Sequence, residues 1–210
     1  MYADYDVPYY SLGFNGKTRD ENEGILGSFS TSGGNFAWIQ PTGENGYNGY
    51  LAGAWSDKTP AGGEMINLYG LPTEGERLTV SFDLMGESDG KGGVSTTVWS
   101  LRIRASGSGE KWLIKIKNDG TLVFLDTVVL GKLSAEEFRN LTLTVEMGET
   151  SGTIVVTACF DYGETHTKTL QDTFVTALSD IARVQIYGAK PTVGTASPNT
   201  YFDNFYIIAK

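Results

Sequence analysis

The stretch Arg77-Leu-Thr-Val-Ser-Phe-Asp-Leu84 decides the reading of this chain. Leu78, Val80, Phe82 and Leu84 alternate with Thr79, Ser81 and Asp83. That period of two belongs to a strand with one buried and one wet face, because successive strand side chains point to opposite sides. Asn140 to Met147 repeats it, with Leu141, Leu143, Val145 and Met147 set against Thr142, Thr144 and Glu146. Similar patterning predicts further strands at 94–104, 111–117, 121–130, 153–160, 165–170, 181–187 and 201–208. Asn118-Asp119-Gly120 carries the Asp-Gly pair that tolerates positive φ and closes hairpins, and 106–109 and 148–152 are equally turn-like. The one helical signal is Ser134 to Arg139, where Ser134 and Glu137 have capping-box spacing. Roughly a dozen short strands at this spacing predict an all-β fold, a two-sheet antiparallel β-sandwich of jelly-roll type. No repeat or linker divides the chain, so one domain is expected across residues 1–210.

Composition narrows the function. The chain has 210 residues, enough for one large core at 40% hydrophobic content. Its formal net charge of -9 argues against nucleic acid, whose phosphates it would repel overall. No apolar run approaches the roughly 18 residues that a membrane-spanning helix needs. A signal-peptide profile is absent at the N-terminus, so a secreted protein of this kind is expected to have had its leader removed. The lone Cys159, in a strand-like run, forms no internal disulfide, and zinc-site spacings are missing.

Between Gly43 and Gly63 three large aromatics, Tyr47, Tyr50 and Trp55, sit among six glycines. Such a stretch offers few side chains to bury a ring against, so these rings are expected on turns, exposed, and suited to stacking on the face of a sugar. Trp99 and Trp112 alternate with aliphatic residues and are expected in the core, and Trp38 shares a face with Phe36. Two neighbouring strands place Arg102 and Arg104 on one and Lys115 and Lys117 on the other. If 106–109 closes a hairpin, these four cations share a surface. They then either bind the carboxylates of a uronic-acid polymer or form an ordinary solvated face balanced by Asp83 and Glu146.

Catalytic signals are sparse. The only histidine, His166, lies on an alternating strand, and no Gly-x-Ser-x-Gly elbow is present. The acidic clusters Asp20–Glu23 and Glu136-Glu137 fall in predicted loops, and no carboxylate pair has the spacing of a glycosidase strand. A non-enzymatic protein is therefore expected.

From Leu78 onward the segments Leu-Thr-Val-Ser-Phe-Asp, Trp-Ser-Leu-Arg-Ile, Asn-Asp-Gly-Thr-Leu, Arg-Asn-Leu-Thr-Leu-Thr-Val-Glu and the terminal Tyr-Phe-Asp-Asn-Phe-Tyr-Ile resemble bacterial laminin-G and concanavalin-A-like jelly rolls. The last of them, Tyr201 to Ile207, resembles the closing strand of many carbohydrate-binding modules. The resemblance implies a non-catalytic polysaccharide-binding module of a secreted or cell-surface bacterial protein, excised from a larger multidomain chain. It also implies a structural calcium, held by Asp203 with oxygen ligands such as Glu23 or Asn22 from the N-terminal segment. A glycan-cleaving enzyme of the same fold, a hydrolase or a lyase, and a structural or adhesive spacer are the alternatives.

Overall fold

The computed structural model describes residues 10–12, 29–32, 36–39, 50–53, 64–68, 77–105, 109–171, 175–188, 198 and 200–209. The strands in these residues are β1 (Tyr10–Leu12), β2 (Phe29–Ser32), β3 (Phe36–Ile39), β4 (Tyr50–Gly53), β5 (Glu64–Leu68), β6 (Arg77–Ser88), β7 (Val94–Ser95) and β8 (Trp99–Ala105). They continue as β9 (Glu110–Ile116), β10 (Thr121–Phe124), β11 (Val128–Lys132), β12 (Arg139–Met147), β13 (Ile154–Phe160), β14 (Thr165–Leu170), β15 (Ile181–Gly188) and β16 (Thr200–Ala209). One sheet runs β14-β13-β12-β6-β16-β4-β3, with β1 beside β16 and β7 beside β6. The other runs β11-β10-β9-β8-β15-β5-β2. Neighbours far apart in sequence, such as β6 with β16 and β8 with β15, pair antiparallel. The fold is thus the two-sheet antiparallel sandwich of jelly-roll type that the alternating segments predict.

Three local expectations need correction. The single helical element among the described residues is a 3-10 turn at Leu178–Asp180, not a turn at Ser134. Ser134 does cap, its Oγ accepting the backbone N–H groups of Glu136 and Glu137, but β12 begins at Arg139 before a helix can form. The strand expected over 121–130 breaks into β10 and β11 at Leu125 and Asp126, which take positive φ of 47° and 59°. Neither residue is the glycine or asparagine that announces such a turn. The N-terminal region, read as turns around exposed rings, holds β1 to β5, and Tyr50 starts a strand. The hairpin at Asn118–Gly120 forms as expected, with Gly120 at φ 81°.

The period-two pattern builds the core. Leu78, Val80, Phe82 and Leu84 of β6 and Leu141, Leu143 and Val145 of β12 are buried against Trp99, Leu101 and Ile103 of β8 and Val184 and Ile186 of β15. Trp99 is fully buried, as its alternation predicts, and donates its indole N–H to Thr200 Oγ1 at 2.8 Å. Its ring lies over Gly188, where an added Cβ would come within 2.8 Å of it. In β16 a register irregularity between Asp203 and Tyr206 lets Phe202 and Phe205 both face inward, and Asn204 absorbs it at φ 49°. Phe205 then stacks on Phe82 with ring centroids 5.0 Å apart.

The opposite face of the β6 sheet is a ladder of hydroxyls, with Thr79 bonded to Thr144, Ser81 to Thr142 and Thr157 to Thr167. It ends in an acidic pair, since the register sets Asp203 directly opposite Asp83. Asn204 and Asn140 each donate a side-chain amide to Asp83, at 2.7 Å and 2.8 Å. Asp203 accepts the backbone N–H of Asn204 at 2.8 Å. Burial, with Asp83 adding repulsion, raises the Asp203 pKa to about 7 against the lowering effect of that hydrogen bond. A carboxyl raised in the folded state binds more protons folded than unfolded between about pH 4 and 7, so its contribution to stability falls as pH rises through that window. Asp203→Asn, which keeps the acceptor and removes the charge, is expected to flatten this decline. It should raise stability at pH 8 by on the order of 1 kcal/mol, allowing for the solvent that reaches the group. Urea unfolding at pH 5 and pH 8 checks it, and a variant with the wild-type pH slope contradicts it.

Candidate functional site

The candidate functional face is the outer surface of the β9 sheet, and one extra residue in β9 shapes it. From Trp99↔Ile116 to Leu101↔Ile114 strands β8 and β9 stay in step, after which the register slips to Arg102↔Trp112, Ile103↔Lys111 and Arg104↔Glu110. Leu113 is the residue left over. Both Leu113 and Ile114 are buried, and the Leu113 carbonyl accepts the Leu125 N–H at 2.9 Å. Beyond such a bulge the faces of a strand exchange. Trp112, expected in the core from its alternation, therefore lies on the outside, 40% exposed.

A buried cation lies over the Trp112 ring. Arg102 is 9% exposed, and its guanidinium carbon lies 4.4 Å from the Trp112 ring centroid and 5.3 Å from that of Tyr187. The two rings meet edge to face at 6.0 Å. Arg102 Nε donates to Gln185 Oε1 at 2.9 Å and Nη1 to Glu110 Oε2 at 2.7 Å. A planar fork stacked against aromatic rings and bonded at two edges is what arginine does and lysine cannot. Burial lowers the Arg102 pKa, with the charge of Glu110 acting the other way.

The four expected cations end in different situations. Register places Arg102, Arg104 and Lys115 on the outer face, with Lys115 opposite Ser100. Lys117 is exposed just past the end of β9, where its N–H donates to Thr121. Arg104 lies 3.7 Å from Glu110 Oε2, and its buried Nε has no hydrogen-bond partner. Balance by Asp83 and Glu146 is not what the structure shows. Those carboxylates sit on the other sheet with Asn140, Asn204 and Arg77, and Glu110 is the counter-ion here.

Beside Trp112 opens a cavity of about 200 Å³ lined by Ser100, Lys115, Val123, Leu125 and Asp126. Its rim is the turn in which Leu125 adopts φ 47°, a conformation that a branched side chain takes only under constraint. The constraint is the Leu125 N–H bond to the bulged Leu113. An aromatic wall with a cation, a carboxylate and a hydroxyl around a ring-sized space has the chemistry to hold a polar ring by stacking and hydrogen bonds. Sequence reading missed Trp112, Gln185, Tyr187 and Asp126 as site residues. Gln185 and Tyr187 carried a signal, since Arg183, Gln185 and Tyr187 alternate with buried Val184 and Ile186.

Tyr47, Trp55, Asn22 and Glu23, and the side chain of Tyr50, lie outside the described residues. Asp203 lies at the acidic pair on the other sheet. Two carboxylates pressed together match the hard oxygen donors that calcium prefers but fall short of its six to eight ligands. No group of three or more His, Cys, Asp or Glu is gathered among the described residues.

No protein-family model matches the chain, and no curated protein matches it significantly. Solved structures do. One is a carbohydrate esterase from the Shiga toxin-encoding bacteriophage phi24B, 14% identical with TM-score 0.60, covering 97% of this chain and 99% of that one. Another is the PL-14 alginate lyase of Aplysia kurodai, 10% identical with TM-score 0.60, covering 97% and 100%. A third is the cellulose-induced protein Cip1, 12% identical with TM-score 0.57, covering 96% and 97%. Identities this low establish the shared fold and nothing finer. They overturn the expectation of a non-enzymatic protein, because two of these three matching structures are named as enzymes, and scarce catalytic motifs do not exclude activity on this fold.

Arg102 and Arg104 give a paired test of the brace. Arg102→Leu should cost about 2–3 kcal/mol, since it removes the hydrogen bonds to Glu110 and Gln185 and a buried packing partner. Arg104→Leu, which breaks no hydrogen bond among the described residues, should cost less than about 1 kcal/mol. Urea denaturation of both decides it, and equal costs would contradict the asymmetry.

Proposed function

We propose that this protein binds a saccharide on the outer face of the β9 sheet, with one sugar unit stacked on Trp112 in the cavity beside it. The observation that carries the reading is an exposed tryptophan fixed in place by a buried arginine. An exposed indole costs the free protein apolar hydration, and Trp112 is held out by a register slip, a cation and Tyr187 together. Pre-organised in this way, the ring loses little motion when a ligand arrives. A sugar face covering roughly 100 Å² of it would gain about 2–3 kcal/mol. One such subsite supports roughly millimolar to micromolar affinity, and repeats of the same unit along a polymer raise the effective strength. The sandwich shared with a carbohydrate esterase, an alginate lyase and Cip1 supports the same reading.

The site proposed differs from the one the sequence pointed to. Stacking was expected from Tyr47, Tyr50 and Trp55, whereas the described face supplies Trp112 and Tyr187. Of the arginines expected as ligands of a carboxylate, Arg102 supports the ring and Arg104 lies against Glu110. Secretion or a cell-surface location, within a larger multidomain protein, accompanies this proposal as the setting in which polysaccharide is met. A structural calcium at Asp203 is also part of it, supported by the register that sets this half-buried carboxyl opposite Asp83.

Native electrophoresis through gels containing soluble polysaccharides tests the binding. Wild type should be retarded by at least one polymer, and Trp112→Ala, with its melting temperature within a few degrees of wild type, should lose at least tenfold in affinity. Undiminished retardation of the folded variant contradicts the proposal. Assaying the same polymer for shortened or deacylated products separates holding from cleaving. For calcium, millimolar Ca²⁺ at pH 8 should raise the melting temperature of wild type and not of Asp203→Asn, because a ligand of the native state alone stabilises it. A melting temperature indifferent to both calcium and chelator removes the metal from the account.

A further inference from the structure

We infer that the sugar bound at Trp112 is anionic and that Lys115 recognises its charge, an inference that rests on the saccharide reading above. The charges of the molecule are segregated by face. On the outer face of the β9 sheet the described strands and the 125–127 turn present Arg102, Arg104, Lys115 and Arg183 against only Glu110 and Asp126. The outer face of the β6 sheet presents Asp83, Glu87, Glu146 and Asp203 against Arg77. On a chain of net charge -9 this gives the cavity side the potential that draws an anion.

Within that face the cations differ in what remains available. Arg102 is occupied by Glu110, Gln185 and two rings, and Arg104 lies against the same Glu110. Lys115 is exposed, lines the cavity and makes no ion pair or side-chain hydrogen bond among the described residues. Asp126, across the same cavity, is equally without a partner. Opposite charges that line one space and do not pair with each other are free to engage a ligand that carries both kinds of partner. An acidic sugar is such a ligand. Its ring-borne anion meets the ammonium, its hydroxyls donate to the carboxylate, and its apolar face covers the indole. The volume of about 200 Å³ admits one such ring and falls below the roughly 300 Å³ at which drug-sized pockets begin.

The carboxylate of a hexuronate and a sulfate ester share this chemistry, so the test uses both. Affinity electrophoresis is run in polygalacturonate, in the same polymer after reduction of its carboxyls to alcohols, and in dextran sulfate, with wild type, Lys115→Gln, Trp112→Ala and Lys168→Gln. Lys168 is an exposed cation on edge strand β14 and controls for charge alone. The inference expects Lys115→Gln to lose about tenfold or more in one anionic polymer, the loss of one charge-assisted contact, and nothing in the reduced polymer. Lys168→Gln should bind as wild type. Loss in polygalacturonate alone identifies a carboxylate, and loss in dextran sulfate alone identifies a sulfate. Equal losses for Lys115→Gln and Lys168→Gln, or none for Lys115→Gln where Trp112→Ala fails, overturn the charge assignment and leave the stacking site standing. Retention indifferent to Trp112 in every polymer overturns the saccharide reading itself, and this inference with it.

Discussion

Everything on the candidate face depends on one constraint, the residue that β9 has in excess of β8. A strand with perfect alternation would bury Trp112 beside Ile114 and Ile116. Because Leu113 and Ile114 both go inward, the indole is turned out, and a large apolar group is left facing water. That exposure is unfavourable for the isolated fold, and the surroundings offset part of it with the Arg102 guanidinium, its bonds to Glu110 and Gln185, and the edge of Tyr187. On its other edge β9 pairs in step with β10, where the Leu113 carbonyl accepts the Leu125 N–H at the start of the turn that sets Asp126 at the rim. Aromatic wall and brace are therefore consequences of one local irregularity, and the regular β9–β10 ladder brings the rim beside them.

The two sheets divide the labour. The β6 sheet turns outward a regular hydroxyl ladder, satisfied within itself and ending in a carboxyl pair whose repulsion is contained by two asparagines. The β9 sheet turns outward rings, cations and a cavity whose Lys115 and Asp126 make no ion pair among the described residues. A polar surface already bonded internally has little to offer a ligand, whereas unpaired groups beside a fixed ring have much.

The fold was legible where alternation was clean. Leu78 to Leu84 and Leu141 to Val145 named their inner faces residue by residue, and Asp119-Gly120 named its turn. The proposed site was not legible, because its decisive element is a slip in register, and Lys111-Trp-Leu-Ile-Lys-Ile reads equally well with or without one. The turn at Leu125 and Asp126 was hidden because Leu125 takes a positive φ without the glycine or asparagine that would announce it. Arg102 was visible as a cation on the correct face, but its burial depends on Tyr187 and Gln185, which come from β15 some eighty positions away. The glycine-rich aromatic segment 43–63 drew attention by composition, and a second aromatic surface was already present in a strand that looked like core.

The most direct measurement is a titration of the protein, labelled with ¹⁵N at its tryptophan indoles, with an acidic oligosaccharide followed by NMR. The account predicts that the Trp112 indole resonance moves saturably while that of the buried Trp99 stays in place. Saturable movement of Trp38 or Trp55 with Trp112 unmoved would contradict it, and would return the site to the N-terminal segment.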